Sequence, residues 1–438
     1  MTAVIAVVVG DMMGSGIFFT PGELASVATA RWQVYFFWSL AGVITLSGAL
    51  TLAELSSRIP RAGASYHVIR EGFGPFWAFL KIWIEIGVSG PGSVASVAIV
   101  FGEFLGLFVN GSPVVWGALS ITFFATINLL GVRWGSRAQI LLTSAKLAGV
   151  LGLVVGGVFL AEPARTAALD TSTGGGGVVS FIRLVGLGVA AVLFTYDGWV
   201  DVSHVAGEVD RPKRNLPLGL GLGVGGIIVL YLLVNYAFLR VVPLETMRES
   251  PRTVAAAVAV AAFGALGGEL LSGLLVLSIF GALGGLVMTL PRLYYAAACE
   301  YEPATVGRPG HFLFKGLAAL DPRTAVPSGS ILACAALSLA ALFFFGSFSR
   351  LVTFFVVPLH FANILMVASV FRLRRRPQWT EDGYLTPGYP VVPVIYIAVI
   401  AAFLASAVVY NVRDTLIGIA LTATGVPVYA VVTARGDK

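Results

Sequence analysis

Gly10-Asp11-Met12-Met13-Gly14-Ser15-Gly16-Ile17-Phe18 stands inside the first apolar run of the chain, near 3–28, and interrupts it. A second stretch, Phe194-Thr195-Tyr196-Asp197-Gly198-Trp199, interrupts another apolar run near 182–204 in the same way. A helix broken in the middle of a bilayer leaves amides and carbonyls without partners, and lipid cannot supply any. The amides that open the second half of such a helix make a place for an anion, favoured by the helix dipole. The glycines keep that place clear of side-chain bulk, and Ser15 adds a hydroxyl. Carbonyls at the other break suit a cation. The two interrupted runs are the first and sixth apolar stretches, five spans apart. Five is odd, so two tandem five-helix units would have opposite topologies, which is the pattern of an inverted repeat with its binding site at the paired breaks.

Around these breaks the chain reads as membrane throughout. Of its 438 residues 57% are hydrophobic and only 11% charged, against roughly 25% charged in a soluble domain. Crossing the hydrocarbon core takes about 20 apolar residues. Twelve stretches meet that need, near 3–28, 33–57, 75–108, 114–131, 137–160, 182–204, 215–241, 269–297, 327–346, 350–371, 390–410 and 414–433. The predicted fold class is an all-α membrane protein of twelve transmembrane helices, with helices 1 and 6 broken. Its expected divisions are a first repeat over 1–165, a second over 166–376, and two peripheral helices over 377–438. Polar connections are expected near 161–181, 242–268 and 298–326, and no separate soluble domain. The N-terminal run reads as a span rather than a removable signal, since it lacks a basic start and contains Asp11 and Pro21.

The basic residues give an orientation. With the N-terminus in the cytoplasm, the inner connections hold Arg58, Arg61, Arg70, Arg133, Arg137, Arg211, Lys213, Arg214, Arg292, Arg308, Lys315, Arg323, Arg372, Arg374, Arg375, Arg376, Arg435 and Lys438, eighteen of the 28 Lys and Arg. That excess predicts both termini inside, in the plasma or bacterial inner membrane. The segment Arg58–Tyr66 reads as a plain loop or a short re-entrant element, and the charges of Gly207–Pro217 as anchors for the inner ends of spans 6 and 7. At least two of Glu54, Glu85 and Glu103 are expected near interfaces or in local pairs. Four scattered histidines and two unpatterned cysteines, Cys299 and Cys334, suggest no metal, cofactor or disulfide framework. No nucleophile constellation or phosphate loop is present, so an enzyme is not expected, and the net charge of +6 reads as membrane orientation rather than a nucleic-acid surface.

Taken together in order and spacing, several motifs resemble the amino acid–polyamine–organocation superfamily, most closely its L-amino-acid transporter branch. They are Gly14-Ser15-Gly16-Ile17-Phe18, Pro60-Arg61-Ala62-Gly63 with Tyr66 and Gly74-Pro75, Gly131-Val132, Phe194–Trp199 with Gly207-Glu208, Arg214-Asn215 with Pro217, Phe280–Leu283, Pro291-Arg292, and Thr386–Pro390. The resemblance covers essentially the whole chain. It implies the fold of the bacterial leucine transporter: two inverted five-helix repeats plus two peripheral helices. It implies that amides near Ser15, Gly16 and Ile17 hold a substrate carboxylate. Carbonyls near Met12, Met13, Phe194 and Tyr196 would hold its ammonium, with Thr195 and Asp197 lining the site and Phe194 acting as a thin gate. The chain departs from the branch pattern at Val200 and Gly284, where asparagine is usual, and at Gly63-Ala64, where a glycine pair is usual.

The implied function is secondary transport of L-amino acids by alternating access, neutral ones because no acidic cluster surrounds the expected pocket apart from Asp197. The mode is exchange or proton-linked symport, the latter with protons as partner. The alternatives are a cationic amino-acid or polyamine carrier, in which Asp197 reads a second positive charge, and a nontransporting amino-acid sensor or channel. Lys146 adds a coupling expectation. It lies about nine residues into span 5, roughly 13 Å deep. By the resemblance, its ammonium replaces a sodium ion, held by carbonyls around Met13 and Gly14 and by the Ser278 hydroxyl; snorkelling or pairing with an acid such as Glu85 is the alternative. The bilayer and the amino acid are the partners expected, with no obligate protein partner.

Overall fold

The computed structural model describes residues 1–14, 16–61, 63–130, 136–164, 192–249, 254–307, 311–324, 326–379, 383–410 and 412–433. These are helical with turns, and no strand occurs among them. Eight helices are long and apolar enough to cross a membrane: Arg31–Arg58, Pro75–Leu105, Pro212–Val241, Val254–Thr305, Ser328–Phe345, Phe348–Leu373, Val391–Val409 and Val412–Thr433. Val4–Met12 and Gly16–Val27 form a ninth if taken as one span bent by 44°. Pro113–Leu129 and Lys146–Leu160 are shorter apolar helices at expected spans. The first ten residues of the sixth expected span, 182–191, lie outside the described residues, which resume at Val192.

Two expected connections turn out otherwise. Residues 242–268 were expected to form a polar connection, yet Leu244–Glu249 is helical and the next helix already starts at Val254. The sequence Val254-Ala255-Ala256-Ala257-Val258-Ala259-Val260-Ala261-Ala262 is rich in the strongest helix former, and the chain departs from helical geometry only at Gly264, whose φ of 72° favours glycine. The region 298–326 is likewise partly helical, to Thr305 and again over His311–Leu317. After span 2 the chain turns over Ile59–Arg61 and passes a left-handed Gly63 into the helix Ala64–Phe73, where Ser203 Oγ donates to Ser65 Oγ at 3.1 Å.

The chain forms two compact units. One comprises residues 1–78, 145–275 and 360–410; the other comprises 79–144, 276–359 and 411–438. Each draws on several separate stretches. In the first, Arg31–Arg58 packs along Pro212–Val241, which also carries Thr2–Met12. In the second, Gly90–Leu105 packs with Pro113–Leu129 and Ser328–Phe345. Large apolar side chains lie exposed on helix after helix, among them Phe343, Phe344, Leu222, Val229 and Leu119. A soluble protein buries such faces; on helices of spanning length they meet lipid.

Of the acids expected near interfaces or in local pairs, Glu85 pairs locally and Glu54 pairs at long range. In the first unit Glu54 is fully buried. It receives Arg374 through both oxygens at 2.8 and 2.6 Å, Trp379 Nε1 at 3.1 Å, and the Thr386 amide and hydroxyl at 2.7 and 2.6 Å. A buried carboxylate is tolerated when its lone pairs are filled in this way. The network pins the stretch after Leu373 to the end of Arg31–Arg58. In the second unit Lys81 donates to Glu85 one turn on, where the helix widens into a π-helical turn over Glu85–Ser89. Glu85, the alternative partner considered for Lys146, is thus bonded to Lys81.

Candidate functional site

The first break lies between Met12 and Gly16. Met13 still donates its amide to Val9 O at 2.9 Å, but the Gly14 amide turns back onto Met12 O at 2.8 Å. In an unbroken helix that amide would bond to the carbonyl four residues earlier, which is Gly10 O. The turn therefore strips Gly10 of its helical donor. Lys146 Nζ supplies a replacement, donating to Gly10 O at 3.3 Å from a side chain only 7% exposed. Lys146 thus meets span 1 as expected, but its recorded partner is Gly10, one turn before Met13 and Gly14. Ser278, the third expected partner, is buried in the second unit.

The second break has the same economy. Tyr196 donates to Val192 O at 3.1 Å, and the Asp197 amide tightens onto Phe194 O at 3.1 Å. Gly198 follows with φ of 102°, a conformation that costs a residue with a Cβ dearly. The chain then continues as a 3₁₀ turn over Asp201–Glu208.

The two breaks interlock. A Cβ on Gly16 would fall 2.6 Å from Thr195 Oγ1 and 3.1 Å from Thr195 Cα, and one on Gly198 would fall 2.8 Å from the Asp11 carbonyl. Each break thus uses a glycine to admit the backbone of the other. Thr20 and Thr195 share a hydroxyl hydrogen bond of 2.7 Å. Tyr231, on Pro212–Val241, reaches both: its hydroxyl lies 2.7 Å from Met12 O and 3.3 Å from Thr195 O. Tyr231, Tyr196 and Trp38 are fully buried and meet at ring distances of 5.2 to 5.7 Å.

This geometry brings together Met12, Met13, Gly14, Gly16, Phe194, Thr195, Tyr196 and Lys146, all in the first unit. Ile17 is fully buried, Phe194 is half-buried, and Ser15 lies outside the described residues. Met12 O already accepts two hydrogen bonds, from Gly14 and Tyr231. A carbonyl oxygen has two lone pairs, so in this conformation Met12 is not an open acceptor. That leaves Met13, Phe194 and Tyr196 among the carbonyls expected to take an ammonium. Asp197 lies within electrostatic reach of the buried Tyr396.

Sequence reasoning missed Tyr231 and Asp11. Tyr231 is one hydroxyl in a long apolar helix, with no motif around it. Asp11 figured only as a residue that spoils a signal peptide, yet it lies within electrostatic reach of both Lys146 and Asp201. An acid more than two turns into an apolar span, in the helix Thr2–Met12 and five residues before Gly16, was the available signal. Among the described residues no group of acids, histidines and cysteines could hold a metal ion.

Comparison with known proteins bears on what such a pair of breaks does. The family model described as amino acid permease matches residues 1–433. The serine/threonine exchanger SteT of Bacillus subtilis (strain 168) is 28% identical over 97% of this chain and 94% of that protein. The human cystine/glutamate transporter is 27% identical over 97% of this chain and 83% of its own length. The human b(0,+)-type amino acid transporter 1 is 31% identical over 75% of this chain and 66% of its own.

Proposed function

The chain belongs to the amino acid permease family, and from that premise we propose that it exchanges neutral L-amino acids across the membrane by alternating access, without sodium. It is a transporter and not an enzyme. The observation that carries the reading is the interlocking of the breaks: Gly16 against Thr195, Gly198 against Asp11, and Tyr231 on a carbonyl of each. A substrate binding there touches both halves of two broken helices at once, so its binding energy can differ between two arrangements of those halves, which is what a carrier requires.

In this reading the amides near Ser15, Gly16 and Ile17 take the carboxylate, and carbonyls of Met13, Phe194 and Tyr196 take the ammonium. Phe194 covers the site from its half-buried position. Thr195 and Asp197 line it. Met12 O becomes available only when Tyr231 lets go, which ties an ammonium contact to the position of Pro212–Val241. Lys146 stands as a fixed cation on the first half of span 1, removing the need for sodium. Exchange is favoured over proton symport by the similarity to a serine/threonine exchanger. The wider reading includes twelve spans in two inverted repeats, both termini in the cytoplasm, residence in the plasma or bacterial inner membrane, and no obligate protein partner. The excess of arginine and lysine in alternate connections supports the orientation.

The test is counterflow. Purified protein in liposomes preloaded with an unlabelled amino acid is offered a panel of labelled ones, with sodium or choline outside. Neutral L-amino acids should enter in both salts, and only when the inside holds substrate. Strict sodium dependence, or preferential entry of cationic substrates, would overturn the corresponding part of the proposal. No counterflow with any amino acid would overturn it whole.

A further inference from the structure

Where Arg31–Arg58 ends and Pro212–Val241 begins, the first unit holds a cavity of about 430 Å³ lined by Ser57, Arg58, Pro60, Arg211, Pro212, Lys213 and Arg214. One liquid water occupies about 30 Å³, so the space would take a group more than ten times larger. Among the described residues that line it, four of seven are cations and none is an acid. From the chemistry of this lining we propose that the cavity binds the phosphate headgroup of an anionic phospholipid.

Among the described residues no counter-charge is recorded for three of these cations. Glu54, the acid at this end of the same helix, is filled by Arg374, Trp379 and Thr386. Arg58 is fixed in place, donating to Tyr384 O at 3.4 Å and lying over the Trp379 ring at 5.6 Å. Among the described residues no ion pair or side-chain hydrogen bond is recorded for Arg211, Lys213 or Arg214, and all three are exposed. A point at the Cβ position of Gly383 lies 3.4 Å from Lys213 Cδ and 3.8 Å from Arg58 Nη2, so both side chains pass the same glycine. Arg211 is the sole non-glycine recorded with positive φ among the described residues, at 48°. Its carbonyl takes the amides of Arg214 and Asn215. The Lys213 amide, in the first turn of a 30-residue helix, has no intrahelical acceptor, so the positive end of that helix faces the same space.

Position decides between lipid and a soluble phosphate. The cavity lies where two apolar helices of spanning length end, which is the depth of the lipid headgroups. The charge pattern assigns this end to the cytoplasmic face, where anionic lipid collects around juxtamembrane basic clusters. The proposal is independent of which amino acid the protein carries.

The experiment uses the full chain in a neutral detergent. Binding of short-chain phosphatidylglycerol, phosphatidylcholine and inorganic phosphate is read by thermal shift and by native mass spectrometry. Wild type should retain and be stabilised by phosphatidylglycerol, not by phosphatidylcholine, with an effect that fades as salt rises. R211Q/K213Q/R214Q should lose affinity on the order of a hundredfold, from roughly fivefold per cation. R211K/K213R/R214K, which keeps the charge, should bind like wild type. If the triple glutamine variant does not fold, Lys213→Gln alone should still show its roughly fivefold loss. Equal binding of phosphatidylglycerol by wild type and by these neutralised variants would overturn the site. Inorganic phosphate that binds wild type as well as phosphatidylglycerol does, and displaces it, would overturn the lipid and leave a soluble anion as occupant.

Discussion

Lys81 and Lys146 are both buried in apolar helices, at 5% and 7% exposure, and they are held differently. Lys81 brings its counter-ion with it: Glu85 follows one turn later on the same helix, and the pair closes on itself. Lys146 has no acid within a turn of it on its own helix. Its recorded hydrogen bond crosses to Gly10 O, a carbonyl that is available only because the helix breaks four residues later. An ion pair inside one helix moves as one body and reports on folding. A cation bridging one helix to the broken end of another reports on how those helices are arranged. The comparison teaches that charge burial alone does not mark a functional lysine; the marker is a partner that exists only in a particular arrangement of the backbone.

The largest effect expected from breaking this comparison is on the lysine argued to be structural. Lys81→Met leaves Glu85, 15% exposed, without its cation; removing one member of a fully buried pair costs about 3–5 kcal/mol, an upper bound here. Thermal unfolding in detergent should show that loss, and an unchanged unfolding temperature would mean that the pair is not what holds the π-helical turn. Lys146→Ala should leave the protein folded but remove a hydrogen bond from a charged donor, worth about 1.5–3 kcal/mol. If the bond matters to the transport cycle, counterflow should drop by roughly ten- to a hundredfold. A folded Lys146→Ala protein with normal exchange would erase the distinction between the two lysines.

Smaller changes sharpen it. Tyr231→Phe keeps the ring packing against Trp38 and Tyr196 but frees Met12 O and Thr195 O. The hydroxyl has one proton to give, placed best for Met12 O at 2.7 Å, and the lost bond is worth about 0.5–1.5 kcal/mol. The outcome to look for is a moderate loss of exchange together with an altered substrate affinity, since Met12 O gains an open lone pair; a variant with neither change would separate Tyr231 from the site. The smallest effect belongs to Lys81→Met with Glu85→Leu. Replacing a buried pair by apolar residues is often close to neutral, so unfolding and exchange should both return near wild type. Failure of both to recover would assign the pair a role in transport after all.

Legibility followed the range of the interactions. Gly14, Gly16 and Gly198 announced breaks because a glycine in an apolar run is a local signal, and the structure has those breaks at 12–16 and 197–198. At least two of the acids at 54, 85 and 103 were expected near interfaces or in local pairs, and Glu85 could be read directly because Lys81 is four positions away. Glu54 could not be matched to Arg374, 320 residues on, without the fold. The connection 242–268 was misread because its alanines carry little hydropathy contrast, although they favour helix strongly.

By itself the sequence determined the class of molecule and the location of its breaks. Both depend on properties each residue carries alone: transfer cost into lipid, backbone freedom, and charge in the connections. Only the tertiary structure decided which backbone groups the breaks release and what takes them. Gly10 O meets Lys146 and Met12 O meets Tyr231 because separate helices cross at one place. A hydrogen bond depends on position to within a fraction of an ångström, and no local pattern in the chain encodes a crossing between residues 219 positions apart.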